Sequence, residues 1–256
     1  MPQDTGDFTV AARGCGGPDK SAGAHRGRLG TKGLPMSDRT LAVVLASGGL
    51  DSCVATAWAD RRWRLAMLHA GYGQRTAAKE RECFDRQVAH FQPEAHLVVE
   101  LPHLAQVGGS SLTDPRMEIP EDDAPGGVPS TYVPFRNATL LAVAAAWAEV
   151  LEAGHIVIGA VEPDAPGYPD CRPAFFEAAA RLIDLGTRPE THIRLETPVL
   201  ALSKAEVARM GSDLAAPLAL TWSCYRREDV PCGACASCLR RAEAFRDAGV
   251  RDPLTA

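Results

Sequence analysis

The sequence predicts an α/β protein in which a parallel sheet is flanked by helices, a Rossmann-like architecture. Short apolar runs alternate with amphipathic segments along most of the chain, which is the pattern of repeated βα units. The first unit is the clearest, because residues 41–46 form a continuous apolar run and Val54, Ala57 and Trp58 then recur at helical spacing. We therefore expect ligands to bind beyond the carboxyl ends of the strands.

The remaining elements follow the same alternation. Further buried strands are predicted over 64–73, 95–103, 155–162 and 192–199. Helices are predicted over 75–91, 137–153, 173–186 and 204–214, and from near residue 236. Asn137 is the expected N-cap of its helix and Gly154 its stop, whereas Ser203 caps the helix that follows it. Residues 104–136 are a long connection rich in Gly, Pro and Asp, which is typical of a functional or mobile loop.

Composition excludes several classes of protein. Apolar residues make up 46% of the chain and charged residues 23%, as in globular proteins. The net charge of −5 argues against a broad basic face, so we expect no direct nucleic-acid partner. No stretch approaches the ~20 apolar residues of a membrane span, and the N-terminus lacks the apolar segment of a signal peptide. A cytoplasmic protein is therefore expected.

The first βα junction reads SGGLDS at residues 47–52. Its two glycines let the backbone turn sharply and bring N–H groups close to a ligand, and the following helix directs its positive end to the same point. The loop is therefore predicted to bind phosphate. The sequence GxxxxGK[ST] is absent and no lysine follows the glycines, which disfavours a β/γ-phosphate site of the kinase or GTPase type. An ordinary strand-to-helix turn is the alternative.

SGGLDS resembles the PP-loop of ATP pyrophosphatases, which have an adenine nucleotide alpha hydrolase-like fold and hold ATP with its α-phosphorus exposed. The resemblance implies that this loop binds ATP together with Mg²⁺. Asp51 and Ser52 are candidate catalytic residues, and a simple helix cap is the alternative role for Asp51. The predicted ATP-binding residues are Ala46, Ser47, Gly48, Gly49, Leu50, Asp51 and Ser52.

Four of the eight cysteines fall within fifteen residues, in the arrangement Cys224-x7-Cys232-x2-Cys235-x2-Cys238. Clustered cysteines in a chain without a signal peptide indicate a reducing compartment and a bound metal. Four thiolates suit a closed tetrahedral site, so we predict one structural Zn²⁺ per chain. An iron–sulfur cluster is the alternative, although the C-x3-C-P continuation of ferredoxin-type runs is absent.

These features divide the chain into three predicted parts. Residues 1–36 are rich in Gly and lack periodicity, so they are expected to be a disordered or loosely attached extension, with Met36 as a candidate start. Residues 40–220 are expected to form the domain that binds ATP and substrate. Residues 221–250 are expected to form a small C-terminal zinc-binding module.

Three further strings are HAGYGQ (69–74), STYVPFRN (130–137) and YPDCRPAF (168–175). Together with SGGLDS and the clustered cysteines, they closely resemble the 7-cyano-7-deazaguanine synthase family of the queuosine pathway, over roughly residues 40–248. The resemblance implies an ATP-dependent ligase that converts 7-carboxy-7-deazaguanine and ammonia to the nitrile through adenylated acid and amide intermediates. No glutaminase-like segment is evident, so free ammonia is the expected nitrogen source, with delivery by a partner as the alternative, and a homodimer is expected. Cys53 departs from the pattern, because small hydroxyl residues are more usual at that position.

The same resemblance implies roles for individual side chains. Arg136 is expected to bind an anionic group and Lys204 to reach phosphate, so both are candidate catalytic residues. Asp170 is suited to accept from the N1–H and the exocyclic amine of a guanine-like base. The alternatives are a helix cap for Asn137, a solvated loop carboxylate for Asp170 and an exposed lysine for Lys204. The predicted substrate-binding residues are Tyr72, Gln74, Phe135, Arg136, Asn137, Asp170 and Arg172.

Two other functions compete with this interpretation. The first is a PP-loop enzyme of the tRNA-thiolase type, with an iron–sulfur cluster at the cysteines, which would need an RNA-binding surface that the acidic balance disfavours. The second is a nucleotide sensor without catalysis, which would bind ATP but release no pyrophosphate.

Overall fold

Five strands form one parallel sheet in the order β3-β2-β1-β4-β5. A computed structural model of the protein describes residues 40–121, 127–162 and 167–254, so the predicted extension over 1–36 lies outside the described residues. All four strand pairings are parallel, which confirms the predicted class of fold. The strands are β1 (Leu41–Leu45), β2 (Arg64–Gly71), β3 (Ala95–Glu100), β4 (His155–Ile158) and β5 (Arg194–Glu196).

Helices connect these strands and cover both faces of the sheet. The central strand β1 is buried along its whole length, and its alternate side chains enter different clusters. Val43 packs with Leu141 on one face, whereas Val44 packs with Ala55 on the other. The helices are α1 (Leu50–Asp60), α2 (Ala77–Phe91), α3 (His103–Val107), α4 (Arg136–Val150), α5 (Pro173–Gly186), α6 (Lys204–Asp213) and α7 (Ala236–Ala248).

The start of α4 differs from the prediction. Asn137 is not the N-cap; it lies inside the first turn, and Phe135 precedes the helix with a left-handed φ of 58°. The Asn137 N–H donates to the carboxylate of Asp170 at 2.9 Å, so a segment distant in sequence satisfies this helix end. At the other end the helix stops at Val150 and not at the predicted Gly154, because Glu152 adopts a left-handed φ of 54° that ends the helix.

Other elements also differ from the bounds that the sequence predicted. The predicted strand over 192–199 is confined to Arg194–Glu196, and the long connection after β3 contains the short helix α3. The capping prediction at Ser203 is confirmed, because its hydroxyl accepts from the Glu206 N–H and the Glu206 carboxylate accepts from the Ser203 N–H at 2.8 Å.

The C-terminal segment is attached by a shared core and contains a buried ion pair of its own. Phe245 on α7 packs in one cluster with Val54 of α1 and Val207 of α6. Arg241, also on α7, donates two hydrogen bonds of 2.8 and 2.9 Å to the carboxylate of Asp252. The two side chains are only 6% and 7% exposed, so the charges are almost completely removed from water. Within the described ranges, no helix is both long and apolar enough to cross a membrane.

Asp252→Asn is expected to lower the free energy of unfolding by about 3–5 kcal/mol, because it leaves the Arg241 guanidinium buried without a compensating charge. Denaturant unfolding followed by circular dichroism measures the loss. The matched control is Asp247→Asn, which breaks an exposed 3.0 Å pair with Arg246 and should change stability little. An equal loss of stability in the two variants would contradict the inference that burial makes the Arg241–Asp252 pair costly to break.

Candidate active site

A cavity of about 290 Å³ opens at the carboxyl ends of the strands. The chain passes from β1 outward to β3 and then returns to place β4 on the other side of β1, so the switch in strand order lies between β1 and β4. Parallel sheets bind ligands at such a point. We name one part the loop end, lined by Ser47, Gly49, Leu50, Asp51, Ser52 and Lys204. We name the other part the tyrosine end, lined by Tyr72, Gln74, Glu80, Arg136 and Tyr225.

The loop end is built around Gly48, which has a φ of +85°. A Cβ on this residue would lie 2.4 Å from the carbonyl oxygen of Glu80 on α2, closer than any side chain permits. The Gly48 carbonyl accepts from the Trp222 N–H at 3.0 Å and from the Gln87 amide at 3.4 Å. Glycine at this position therefore lets the loop pack directly against two other segments.

The first turn of α1 presents backbone N–H groups to the cavity. The helix begins at Leu50 after Gly49, and no side chain caps it. The hydroxyls of Ser47 and Ser52 lie 3.0 Å apart, and Ser47 also accepts from the Gly49 N–H at 3.2 Å. Uncapped N–H groups beside two hydroxyls, at the positive end of a helix, can bind an anion such as phosphate.

Asp51 and Lys204 meet across the loop end. The Lys204 ammonium donates to Asp51 Oδ2 at 2.5 Å, and the two side chains are 24% and 26% exposed. Lys204 is the first residue of α6, so the capping box at Ser203 also sets the position of this cation. Asp51 Oδ1 is buried and accepts no hydrogen bond from the described residues. An oxygen in this state fits a role in binding Mg²⁺ beside the phosphates.

Arg136 places a positive charge at the tyrosine end. Its guanidinium donates to the Tyr72 hydroxyl at 3.1 Å. Burial alone would lower the pKa of Arg136, but Tyr72 and the Asp170 carboxylate raise it, so the guanidinium stays charged. Burial likewise raises the pKa of Tyr72, which stays a neutral phenol. This end of the cavity is therefore suited to an anionic group on a planar ligand.

Gln74 links Tyr72 to an acidic residue. Its side-chain oxygen accepts from the Tyr72 N–H at 2.8 Å, and its amide nitrogen donates to Glu80 Oε2 at 2.9 Å. Burial raises the pKa of Glu80, while the hydrogen bonds from Gln74 and Thr76 act in the opposite direction. Glu80 was absent from the predicted site, because in the sequence it is one charge among many on an amphipathic helix.

The structure brings only some of the predicted substrate-binding residues to the cavity. Tyr72, Gln74, Arg136 and Asn137 line it, whereas Phe135, Asp170 and Arg172 do not. Phe135 is 66% exposed, and Arg172 is an exposed residue that precedes α5. Among the predicted ATP-binding residues, all but Gly48 line the cavity. The sequence analysis missed Trp222 and Tyr225, which lie beside the first clustered cysteine and also line it.

The four clustered cysteines converge on one point. Their sulfur atoms all lie within 4.8 Å of one another, and the sulfurs of Cys232 and Cys238 are 3.9 Å apart. A tetrahedral site with metal–sulfur bonds of 2.3 Å requires sulfurs about 3.8 Å apart. The backbone N–H groups of Arg226 and Cys232 each lie 3.4 Å from Cys224 Sγ, which helps to stabilise a thiolate. The sulfurs of Cys224, Cys232, Cys235 and Cys238 can therefore hold a metal ion.

Trp222 joins the cysteine cluster to the loop end. Its indole N–H donates to the carbonyls of Cys224 and Arg227, each at 3.1 Å, and its ring packs in one cluster with Cys235. Its backbone N–H is the group that donates to Gly48. Trp222 thus contacts both the segment that contains the clustered cysteines and the SGGLDS loop at residues 47–52, which we call the phosphate loop.

Comparisons with known proteins show the family to which the chain belongs. A model of the family described as queuosine biosynthesis protein QueC matches residues 41–249. The 7-cyano-7-deazaguanine synthase of Chlorobium limicola is 51% identical over 215 residues, which cover 83% of this chain and 95% of that protein. The protein of the same name from Haloarcula marismortui is 47% identical over 222 residues, which cover 86% and 96%. Among solved structures, the U34-tRNA thiolase NcsA from Methanococcus maripaludis is 12% identical with a TM-score of 0.47, covering 82% of this chain and 66% of that chain.

The parallel sheet and the SGGLDS loop at its switch point define the class, which is an α/β protein with a PP-loop. Within this class, the chain belongs to the family of queuosine biosynthesis protein QueC. The family resemblance that the motifs indicated is therefore confirmed.

Gly48→Ala is expected to displace the phosphate loop, because the new methyl group would collide with the α2 backbone. We expect a loss of stability of more than about 1–2 kcal/mol, the cost of a left-handed φ alone, together with weaker ATP binding. Thermal unfolding and calorimetric titration with ATP measure the two effects. The matched control is Gly249→Ala, which shares the left-handed φ, at +67°, but has open space around it. If the control weakens ATP binding as much, the collision is not the cause.

Proposed function

We propose that this chain is a 7-cyano-7-deazaguanine synthase, which uses ATP to convert 7-carboxy-7-deazaguanine and ammonia to 7-cyano-7-deazaguanine. The observation that carries the proposal is the 51% identity to a protein of that name over 95% of its length. The two ends of the cavity support it, because one suits phosphates and the other suits a planar anionic ligand. The relatives favour this function over the tRNA-thiolase and sensor alternatives.

The proposed chemistry begins with a carboxylate, which is a poor acyl electrophile. Its oxygen attacks the α-phosphorus of ATP, pyrophosphate leaves, and the acid becomes an acyl adenylate. Ammonia attacks the carbonyl carbon, AMP leaves, and a proton is lost to give the amide. The amide oxygen then attacks the α-phosphorus of another ATP and a second pyrophosphate leaves. Loss of AMP and of the two remaining N–H protons gives the nitrile. Both activations need the same group, an exposed α-phosphorus.

The side chains contribute mainly position and charge in this proposal. The hydroxyls of Ser47 and Ser52 and the first N–H groups of α1 hold pyrophosphate. Asp51 helps to hold Mg²⁺, and Lys204 neutralises charge beside it. Mg²⁺ bound with ATP supplies charge neutralisation on the phosphates. Arg136 binds the carboxylate of the substrate.

We further assign Zn²⁺ to the four cysteines, as a structural ion in a 221–250 module attached to the 40–220 domain. A closed set of four thiolates leaves no open position for substrate, which supports a structural role. We propose that the protein acts in the cytoplasm as a homodimer with free ammonia as its nitrogen source. The net charge of −5 supports the absence of direct nucleic-acid contacts.

The test is to incubate the protein with ATP, Mg²⁺, ammonium and 7-carboxy-7-deazaguanine. We expect the nitrile by mass spectrometry, together with AMP and pyrophosphate. Absence of the nitrile from a folded, metal-loaded preparation would refute the function, and release of ADP and phosphate would refute adenylation.

Asp51→Ala is expected to lower turnover roughly 100-fold or more, because it removes a carboxylate positioned beside the phosphates. The melting temperature should change little, and the rate of nitrile formation measures the effect. The control is Asp85→Ala, which removes an exposed carboxylate that pairs with Arg81 on α2. If Asp51→Ala turns over nearly as fast as Asp85→Ala, Asp51 has no role in the proposed reaction.

Cys235→Ser is expected to lower zinc content and melting temperature together, since ligation energy in a closed site is folding energy. Plasma mass spectrometry measures metal per chain. The matched control is Cys53→Ser, which makes the same change at a buried cysteine outside the cluster and should keep its metal. Full zinc in Cys235→Ser would exclude this ligand, and iron with visible absorption in the wild type would exclude zinc.

A further inference from the structure

Two acidic side chains line the cavity within the described part of the chain, Asp51 and Glu80. Asp51 lies at the loop end and is paired with Lys204. Glu80 lies at the tyrosine end, and the proposed function gives it no role. A carboxylate at the wall of a ligand cavity is costly to desolvate, so we expect a bound ligand to supply it with hydrogen-bond donors.

The Glu80 carboxylate is held in a fixed orientation. Thr76 donates its hydroxyl to Oε1 and Gln74 donates its amide to Oε2, each at 2.9 Å. Gln74 is itself fixed by the Tyr72 N–H. Within the described residues Glu80 forms no ion pair. Because each carboxylate oxygen can accept about two hydrogen bonds, one site on each oxygen is left for a ligand.

The arrangement suits a planar ligand with an uncharged edge that presents two adjacent N–H donors. Tyr72, Leu112 and Tyr225 line the same cavity and supply apolar and aromatic surface, which suits a flat heterocycle. The 2-aminopyrimidinone edge of a guanine-like base has such a donor pair, its N1–H and its exocyclic amine. Resting on the proposed function, we propose that Glu80 recognises this edge of the deazaguanine and sets the preference for a 2-amino substrate.

A cation such as ammonium is disfavoured as the partner of Glu80, because Arg136 is nearby. Its guanidinium occupies the same end of the cavity, where it would repel a second positive charge. The substrate's own carboxylate is on the five-membered ring, on the side opposite its 2-amino edge. Binding that edge to Glu80 therefore keeps the two negative groups apart.

Asp170, to which the sequence analysis gave this role, is less suited to it. Its side chain does not line the cavity, its Oδ2 accepts from the Asn137 N–H, and its Oδ1 is buried with no hydrogen-bond partner among the described residues. Asn137 also donates its side-chain amide to the Asp170 carbonyl at 2.8 Å. These bonds make Asp170 a residue that positions the start of α4, and with it Arg136.

The experiment measures binding of 7-cyano-7-deazaguanine and its 2-deamino analogue by calorimetry. In the wild type we expect the 2-amino ligand to bind about 10–100-fold more tightly, because the analogue leaves a carboxylate oxygen without its donor. Glu80→Gln should reduce this preference at least tenfold and leave ATP affinity unchanged. The matched control is Glu82→Gln, an exposed glutamate on α2 paired with Lys79, which should keep the preference.

Three results would overturn the inference: an unchanged preference in Glu80→Gln, equal weakening of both ligands, or loss of the preference only in Asp170→Asn. If Glu80→Gln does not fold, Glu80→Asp replaces it, and its shorter side chain should reduce the preference in the same direction. Failure of the proposed function is a separate result, because the wild type would then form no nitrile and bind neither ligand.

Discussion

The contact of Gly48 with α2 is the constraint on which the rest of the site depends. At this point the phosphate loop approaches the Glu80 carbonyl so closely that no side chain fits. The same glycine accepts from Trp222, which precedes the cysteine cluster. Three segments far apart in sequence therefore meet at one residue, so the phosphate loop, the acidic wall of the tyrosine end and the metal-binding segment are positioned together.

The charges in the cavity are arranged so that each end contains both signs. Asp51 faces Lys204 at the loop end, and Glu80 shares the tyrosine end with Arg136. Such an arrangement lets a negatively charged nucleotide and a negatively charged acid enter one cavity, because cations are present at both ends. Carboxylates fixed by hydrogen bonds then orient the ligands without a net accumulation of negative charge.

Much of the fold could be predicted because it is encoded locally. The apolar run of β1, the alternation of elements and the spacing of the cysteines are all visible in short stretches of sequence. What escaped prediction depends on contacts between distant segments. Asn137 has the chemistry of an N-cap, yet Asp170 supplies the acceptor from across the fold. Glu80 has the sequence context of a surface charge, and only the packing of α2 against the loop turns it towards the cavity.

The double contact of Trp222 has a consequence for engineering. Because its four cysteines are close in sequence, the cysteine segment is an obvious choice for grafting as one unit from one relative to another. A graft that kept the four sulfurs but shifted the register of Trp222 would retain the candidate metal ligands, yet it would leave the Gly48 carbonyl without that donor. Exchange of this segment therefore has to include the residues before the first cysteine, and the tryptophan marks the upstream boundary of the transferable unit.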